Sequence, residues 1–149
     1  MTVLVCDLLA AKDSTVWTVR PEDSVRTALQ RMAEKDIGAL PVVTGGRLVG
    51  ILSERDVARR CMLQRRDLSQ TPVEAIMTSS LHTVRPEHTL DRCLVVITNK
   101  HIRHLPVVDA AGSLIGILSV GDVLRAVIEQ QRQQIQKLEL YKPNCPEPA

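Results

Sequence analysis

Apolar residues recur with the period of an amphipathic helix in two separate stretches of the chain. In each stretch they fall at positions i, i+3, i+4 and i+7, which places one apolar stripe against a core. The stripes are Val25, Ala28, Leu29 and Met32 in the first stretch, and Leu90, Cys93, Leu94 and Ile97 in the second. Each stretch therefore predicts a helix that buries one face.

Both predicted helices also carry a start signal. Pro21 and Pro86 are each followed by acidic residues and then by Ser24 or Thr89. Ser and Thr side chains accept hydrogen bonds from the unpaired amides of a first helical turn, and acidic groups suit its partial positive charge. We expect the helices to begin directly after Ser24 and Thr89.

Two β-branched runs follow the first helix and are separated by a turn. The runs are Leu40–Val43 and Leu48–Leu52, and Thr44–Arg47 between them contains two glycines, which favours a hairpin. The second half has matching runs joined by Asp109–Ser113. Each half therefore reads as a short strand, a helix, two strands and a second helix, which predicts an α+β fold.

The two halves are copies of each other. Thr18–Glu22 and Thr83–Glu87 have the same sequence at an offset of 65 residues, and one inserted residue near Gly112 changes the offset to 66. Residues 18–46 and 48–59 contain 20 identities in 41 aligned positions, far above chance. The chain therefore contains an internal duplication, and repeats of this kind usually share one core.

Composition favours a small binding protein over a nucleic-acid binder. The 149 residues are 44% hydrophobic, enough for one core or two small cores with a shared interface. Phe is absent and Trp17 and Tyr141 are the only aromatic residues, so aliphatic side chains must hold any planar ligand and a stacking platform for single strands is missing. A net charge of +2 gives no strong field.

Cysteine usage and hydropathy indicate a cytoplasmic protein. No Cys-x-x-Cys pair occurs, no run approaches the ~18 apolar residues of a membrane span, and the N-terminus lacks a signal-peptide pattern. The histidines have no metal-ligand spacing. Nucleophile-elbow, P-loop, dinucleotide-binding and His-Glu-x-x-His motifs are missing, so binding is a simpler hypothesis than catalysis.

Three motifs occur in the same order in both halves: Thr-Val-x-Pro, Ile-x-x-Leu-Pro-Val-Val, and Gly followed by two apolar residues and Ser-x-x-Asp. Together they resemble the cystathionine-β-synthase (CBS) domain, in tandem over about residues 4–126. The resemblance implies two pseudo-symmetric β-α-β-β-α repeats packed sheet to sheet, a disc-like homodimer, and clefts that take AMP, ADP, ATP, NAD(H) or S-adenosylmethionine. We assign residues 1–62 to repeat 1, 63–72 to a linker, 73–128 to repeat 2, and 129–149 to a C-terminal helical extension and disordered tail.

Phosphate and ribose contacts are predicted where a strand passes into a helix. Ser53 or Ser119, with the amides of the first helical turn, can receive phosphoryl oxygens. Asp56 or Asp122, one turn on, can accept hydrogen bonds from a ribose diol. Adenine is expected along two apolar stretches, Thr18 with Ile37, Gly38, Ala39, Leu40 and Pro41, or Thr83 with Ile102, Arg103, His104, Leu105 and Pro106.

Ser-x-x-Asp at a helix start is also an ordinary capping box. The two roles are compatible, since a ligand can replace the cap contacts. The copies differ in their basic residues, and we expect Arg55, Arg103 and His104 to converge on phosphates across the repeat interface, with Lys12 as a further candidate from the entry segment. The alternative for His104 is a surface position on a strand.

The sequence as a whole predicts a regulatory adenine-nucleotide sensor that reports energy or redox state to a separate protein, with Mg²⁺ only as a companion of ATP. The alternative is a constitutive dimerisation scaffold with empty clefts. Beyond Asp122, four apolar residues and a Gln recur with 4-3-4-3 spacing, which predicts a continuing helix that docks on a partner subunit or on its own module. These residues are Leu124, Ile128, Gln131, Ile135 and Leu138. Tyr141–Pro143 should end the helix, and residues 143–148 should be disordered.

Overall fold

Each half of the chain folds into the same order of elements. A computed structural model describes residues 2–13 and 15–141. The first half contains α1 (Val5–Ala10), α2 (Val25–Lys35), β1 (Ala39–Thr44), β2 (Arg47–Ser53) and α3 (Glu54–Asp56), which continues as a π-helical segment (Val57–Met62). The second half contains a 3₁₀ turn (Val73–Ala75), α4 (Leu90–Lys100), β3 (His104–Val108), β4 (Leu114–Ser119) and α5 (Val120–Leu140). The predicted α+β class and its duplication are confirmed.

The long helices α2 and α4 begin and end in the same way. Ser24 Oγ accepts a hydrogen bond of 3.1 Å from the amide of Thr27, and Thr89 Oγ1 accepts one of 3.2 Å from the amide of Arg92. Both predicted starts are therefore confirmed. Each helix ends at a residue in the left-handed region, Asp36 or His101, which turns the chain directly towards the following strand.

The two sheets are antiparallel hairpins. β1 pairs with β2 and β3 with β4, and both pairs have a bulge at the matching position. The short first strand of each repeat is a single parallel bridge, from Val19 to Val42 or from Val84 to Val107. Arg47 bridges to Ser113, so the two hairpins are in contact at this point.

Each repeat receives its entry segment from the other half of the chain. Val73 and Ile76 are buried in the core of repeat 1, whereas Val5 and Leu8 of α1 are buried in the core of repeat 2. The entry segments cross the strands at a glycine on each side, and Gly50 lies directly beneath the Met77 side chain. This exchange carries residues 12 and 78, at the ends of the entry segments, to the junction between the repeats.

The last helix, α5, runs without interruption from Val120 to Leu140, as the apolar spacing predicts. Ile135 and Leu138 near its end are 54% and 71% exposed. The expected disorder of residues 143–148 lies outside the described residues. No helix in the described part of the chain combines the length and apolar character needed to cross a membrane.

Candidate functional site

The start of α3 is built by a reciprocal contact between Ser53 and Asp56. Ser53 Oγ accepts from the Asp56 amide at 3.1 Å, and Asp56 Oδ2 accepts from the Ser53 amide at 2.9 Å and from its hydroxyl at 3.0 Å. The capping box that the sequence left open as an alternative is therefore formed. It fixes the carboxylate at the end of β2, where only 12% of the side chain is exposed.

The start of α5 has the same reciprocal contact. Ser119 Oγ accepts from the Asp122 amide at 3.1 Å, and Asp122 Oδ2 accepts from the Ser119 amide at 2.8 Å. The Asp122 carboxylate has two additional partners, the ammonium of Lys12 at 2.8 Å and the exposed guanidinium of Arg125 at 3.3 Å. The two Ser-x-x-Asp sites thus have the same capping contacts but differ in the charged partners of their carboxylates.

Residues from both repeats enclose a cavity of about 290 Å³ in front of α3, which we call the first cleft. Its volume lies at the lower end of the ~300–1,000 Å³ range of small-molecule sites. Repeat 1 contributes one wall and repeat 2 the facing wall. The lining residues are Gly38, Ile51, Ser53, Glu54, Arg55, Asp56, Thr78, His101, Ile102, Arg103 and His104.

The first cleft contains all three basic residues that we expected to meet across the repeat interface. Arg55 lies beside the α3 start, while Arg103 and His104 come from the segment leading into β3. A Cβ at position 38 would lie 4.0 Å from Cε1 of His104, so the imidazole lies close to the Gly38 backbone of repeat 1. The structure therefore brings Arg55, Arg103 and His104 to one cavity.

The electrostatics of His104 are set by its position between the repeats. Burial lowers the pKa of His104, the positive charge of Lys12 lowers it further, and the carboxylate of Asp122 partly offsets both. The imidazole is therefore neutral at pH 7, and the fixed positive charges of the cleft are the exposed guanidinium groups of Arg55 and Arg103.

Several residues expected along the adenine are placed elsewhere. Ala39, Leu40, Pro41, Leu105 and Pro106 are buried and are not among the residues that line the first cleft. Their assignment as ligand contacts stays a prediction.

The two expected threonines are also remote from the lining residues. Thr18 is half-buried and its carbonyl accepts a hydrogen bond from Arg31, while Thr83 is exposed. Ile37 packs against the core of repeat 1, whereas its counterpart Ile102 lines the first cleft. The stretch that begins at Ile102 contributes three residues to this cleft, and the stretch that begins at Ile37 contributes Gly38.

The sequence motifs missed Thr78, which lies on the entry segment of repeat 2. Its hydroxyl donates to Asp56 Oδ1 at 3.2 Å, and its backbone bridges to Ile51. No motif marks this position. The repeat offset of 65 does pair Thr78 with Asp13 and Met77 with Lys12, so an alignment extended into the entry segments could have drawn attention to both.

The lining of the first cleft combines aliphatic side chains with the polar groups of a helix start. Ile51 and Ile102 supply aliphatic walls, and the α3 start supplies amides and a carboxylate for polar groups. Within the described residues, no group of three His, Cys, Asp or Glu side chains could hold a metal.

Comparison with known proteins agrees with the internal duplication of the chain. The CBS domain family matches residues 8–63 and 73–129. The chain belongs to the CBS-domain family. The mitochondrial CBS domain-containing protein CBSX3 of Arabidopsis thaliana is 39% identical over 137 residues, which are 89% of this chain and 66% of that protein. The chain thus spans slightly less than two thirds of that relative.

Solved CBS-domain structures have the same fold. A protein with CBS domains from Burkholderia ambifaria is 44% identical, with a TM-score of 0.82 over 87% of this chain and 96% of the other. The structure of CBSX2 in complex with AMP is 33% identical, with a TM-score of 0.71 over 87% and 98% of the two chains. The CBS domain pair of MJ0100 in complex with 5′-methylthioadenosine and S-adenosyl-L-methionine is 25% identical, with a TM-score of 0.77 over 87% and 99%. CBS pairs related to this chain therefore bind adenosine ligands.

Proposed function

We propose that this CBS pair is a regulatory module that binds an adenine nucleotide, AMP, ADP, ATP or NAD(H), in the first cleft. The observation that carries the proposal is the convergence of the Ser53–Asp56 helix start with Arg103 and His104 of the other repeat in one cavity. The AMP complex of CBSX2 supports the ligand class.

Each group in the first cleft has a role that follows from its chemistry. The Asp56 carboxylate accepts hydrogen bonds from the ribose hydroxyls, and charge-assisted bonds of this kind are among the stronger ones in proteins. The Ser53 hydroxyl and the amides at the α3 start face the phosphate. Arg55 and Arg103 neutralise phosphate charge from opposite repeats, and Mg²⁺ enters only with ATP.

Regulation follows from the fact that the ligand touches both repeats. A ligand shifts a conformational equilibrium only by its different affinities for the two states. A nucleotide that joins Asp56 of repeat 1 to Arg103 of repeat 2 favours the arrangement in which these residues lie close together. We infer that the module reports energy or redox state to a separate protein through this change in repeat packing.

A homodimer is part of the proposal. Leu124 and Ile128 of α5 are 50% and 52% exposed, and with Ile135 and Leu138 they fall on one apolar stripe of the helix. Exposed apolar rows of this kind favour a protein contact over a free surface. A second copy of the chain is the partner we propose for this stripe.

A reducing, cytoplasmic setting completes the proposal. Among the described residues, Cys6, Cys61 and Cys93 are free thiols, and the last two are buried. Buried thiols of this kind behave as small apolar side chains. This pattern favours a compartment in which disulfides do not form.

The test is isothermal titration of the full chain with AMP, ATP, NADH and S-adenosylmethionine. We expect binding of at least one nucleotide by the wild type and a loss of at least tenfold in affinity for Asp56→Asn. Asp122→Asn is the matched control, because it removes the same capping box from α5 and Asp122 does not itself line the first cleft.

The outcomes separate the sensor from the scaffold. Equal weakening by both substitutions would show that Asp56 acts only through its cap and would contradict the assignment of the first cleft. A wild-type dimer that binds none of the four ligands would favour the constitutive scaffold. Mass spectrometry of the native protein for a co-purified nucleotide checks the same point without a choice of ligand.

A further inference from the structure

The two clefts of the CBS pair differ at the carboxylate that would hold a ribose. By the repeat offset, the second cleft comprises Ser119 and Asp122 of repeat 2 with Ile37–Ala39 of repeat 1. Lys12 Nζ lies 2.8 Å from Asp122 Oδ2 and also donates to the carbonyl of Ile117 at 2.9 Å. The two side chains are 34% and 13% exposed, so the ion pair is partly shielded from solvent.

The ammonium of Lys12 bonds to the two residues of repeat 2 that match lining residues of the first cleft. Ile117 and Asp122 match Ile51 and Asp56, two of the residues that line the first cleft. Burial alone would raise the pKa of Asp122, but hydrogen bonds from Lys12 and Ser119 and the charge of Lys12 hold it below its usual value. The Asp122 carboxylate is thus already paired with a cation.

The matching position in repeat 1 carries no charge. Met77 stands where repeat 2 receives Lys12, and its side chain packs on Gly50. Asp56 bonds to neutral donors, the Ser53 and Thr78 groups, while the Arg60 guanidinium is 4.0 Å away and donates to the carbonyls of Ile76 and Met77. At Asp56 a ribose hydroxyl can bond without displacing a cation, whereas at Asp122 it must break an ion pair.

The second cleft also lacks the positive charges that attract a phosphate. Gly121 stands at the position of Arg55, Gly38 at that of Arg103, and Asp13 at that of Thr78. The charge of Lys12 is neutralised by Asp122. Lys12 therefore does not compensate for the missing guanidinium groups.

We propose that Lys12 is a built-in occupant of the second cleft: its ammonium takes the place of a ribose on Asp122 and closes that cleft to nucleotides. Each chain then binds one nucleotide, in the first cleft. This inference rests on the proposed nucleotide-binding function. In this proposal Lys12 closes the second cleft and does not bind a phosphate.

The experiment is calorimetric titration of four full-length proteins with AMP: the wild type, Lys12→Met, Asp56→Asn and the double variant. Met is the residue that repeat 1 has at this position. We expect one AMP per chain for the wild type and at least tenfold weaker binding for Asp56→Asn. Lys12→Met should gain a second, weaker AMP site, because the second cleft lacks the guanidinium groups of the first, and the double variant should keep that weaker site alone. Lys12→Arg retains the charge and should keep the cleft closed, and Lys12→Gln is a second neutral variant should Lys12→Met fold poorly.

Three results would overturn the closed second cleft while leaving the nucleotide-binding function intact. These are two AMP per wild-type chain, one AMP per chain in both neutral variants, and weaker AMP binding by Lys12→Met, which would make Lys12 a phosphate contact. Failure of the wild type and of both neutral variants to bind AMP, ATP, NADH or S-adenosylmethionine would instead overturn the proposed function itself. Circular dichroism of each variant verifies its fold.

Discussion

The hydroxyl of Thr78 lies 3.2 Å from Oδ1 of Asp56, although the two residues belong to different halves of the chain. The entry segment of repeat 2 thereby helps to orient the carboxylate of the first cleft. Thr78→Val keeps the shape of the side chain and removes this hydrogen bond. We expect AMP affinity to fall by roughly tenfold or more, as for the loss of one hydrogen bond to a charged group.

Thr83→Val is the control for this substitution, because Thr83 is exposed and does not line the first cleft. Calorimetric titration of both variants with AMP makes the comparison. Equal affinities for the two variants would show that Thr78 has no part in the site.

Ser53→Ala tests whether Ser53 both caps α3 and contacts the ligand. Loss of an N-cap costs about 1 kcal/mol of folding stability. We expect that loss together with weaker AMP binding. Ser24→Ala is the matched control, since Ser24 caps α2 through the same 3.1 Å bond but does not line the first cleft. Urea unfolding and titration should show a similar loss of stability in both variants and a loss of affinity in Ser53→Ala alone.

Much of the fold could be predicted because it depends on residues that are neighbours in the sequence. Local patterns specify α2, α4 and both hairpins, because apolar period, N-caps and turn glycines are properties of neighbouring residues. The exchange of entry segments could not be predicted in this way. It depends on contacts between Val5 and the core of repeat 2, and between Val73 and the core of repeat 1, which are distant in sequence.

The difference between local and distant contacts also explains which site residues the sequence indicates. Ser53 and Asp56 lie three residues apart in a motif, so the sequence indicates them directly. Thr78 and the ion-paired role of Lys12 depend on where the exchanged segments end. Leu40 and Leu105 are part of the family motif but are fully buried, because the motif also contains residues that form the core.

Arg103→Ala tests the phosphate contact from repeat 2. We expect the affinity for ATP to fall by about tenfold and the affinity for adenosine, which has no phosphate, to stay within a factor of two. The effect on ATP should shrink at high salt, because the guanidinium is exposed and its charge is screened. Arg92→Ala removes an exposed arginine on α4 and serves as the control. An equal loss for ATP and adenosine would assign Arg103 a structural role.

His104 should make folding stability depend on pH. Its pKa is lowered in the folded state by burial and then by Lys12, so the unfolded chain, with a pKa of about 6.5 for His, binds the proton more readily. Stability should therefore fall as pH drops below about 6.5 and level off below the folded pKa. Urea unfolding at pH 5.5, 6.5 and 7.5 would show a shallower slope for His104→Gln than for the wild type. An unchanged slope would mean that other groups control acid sensitivity, and His101→Gln controls for the loss of an exposed histidine.

The far end of α5 provides the test of the homodimer. Ile135 is 54% exposed on the apolar stripe, and Gln134 is the adjacent exposed residue on a neighbouring face of the helix. A charge placed in an apolar subunit contact has to be desolvated without a partner, which costs several kcal/mol. We expect Ile135→Asp to weaken the dimer at least tenfold, with little change for Gln134→Asp. Sedimentation velocity over a range of protein concentrations measures both. If Ile135→Asp and a chain that ends at Glu129 sediment like the wild type, the extension docks elsewhere and the dimer contact lies on another surface.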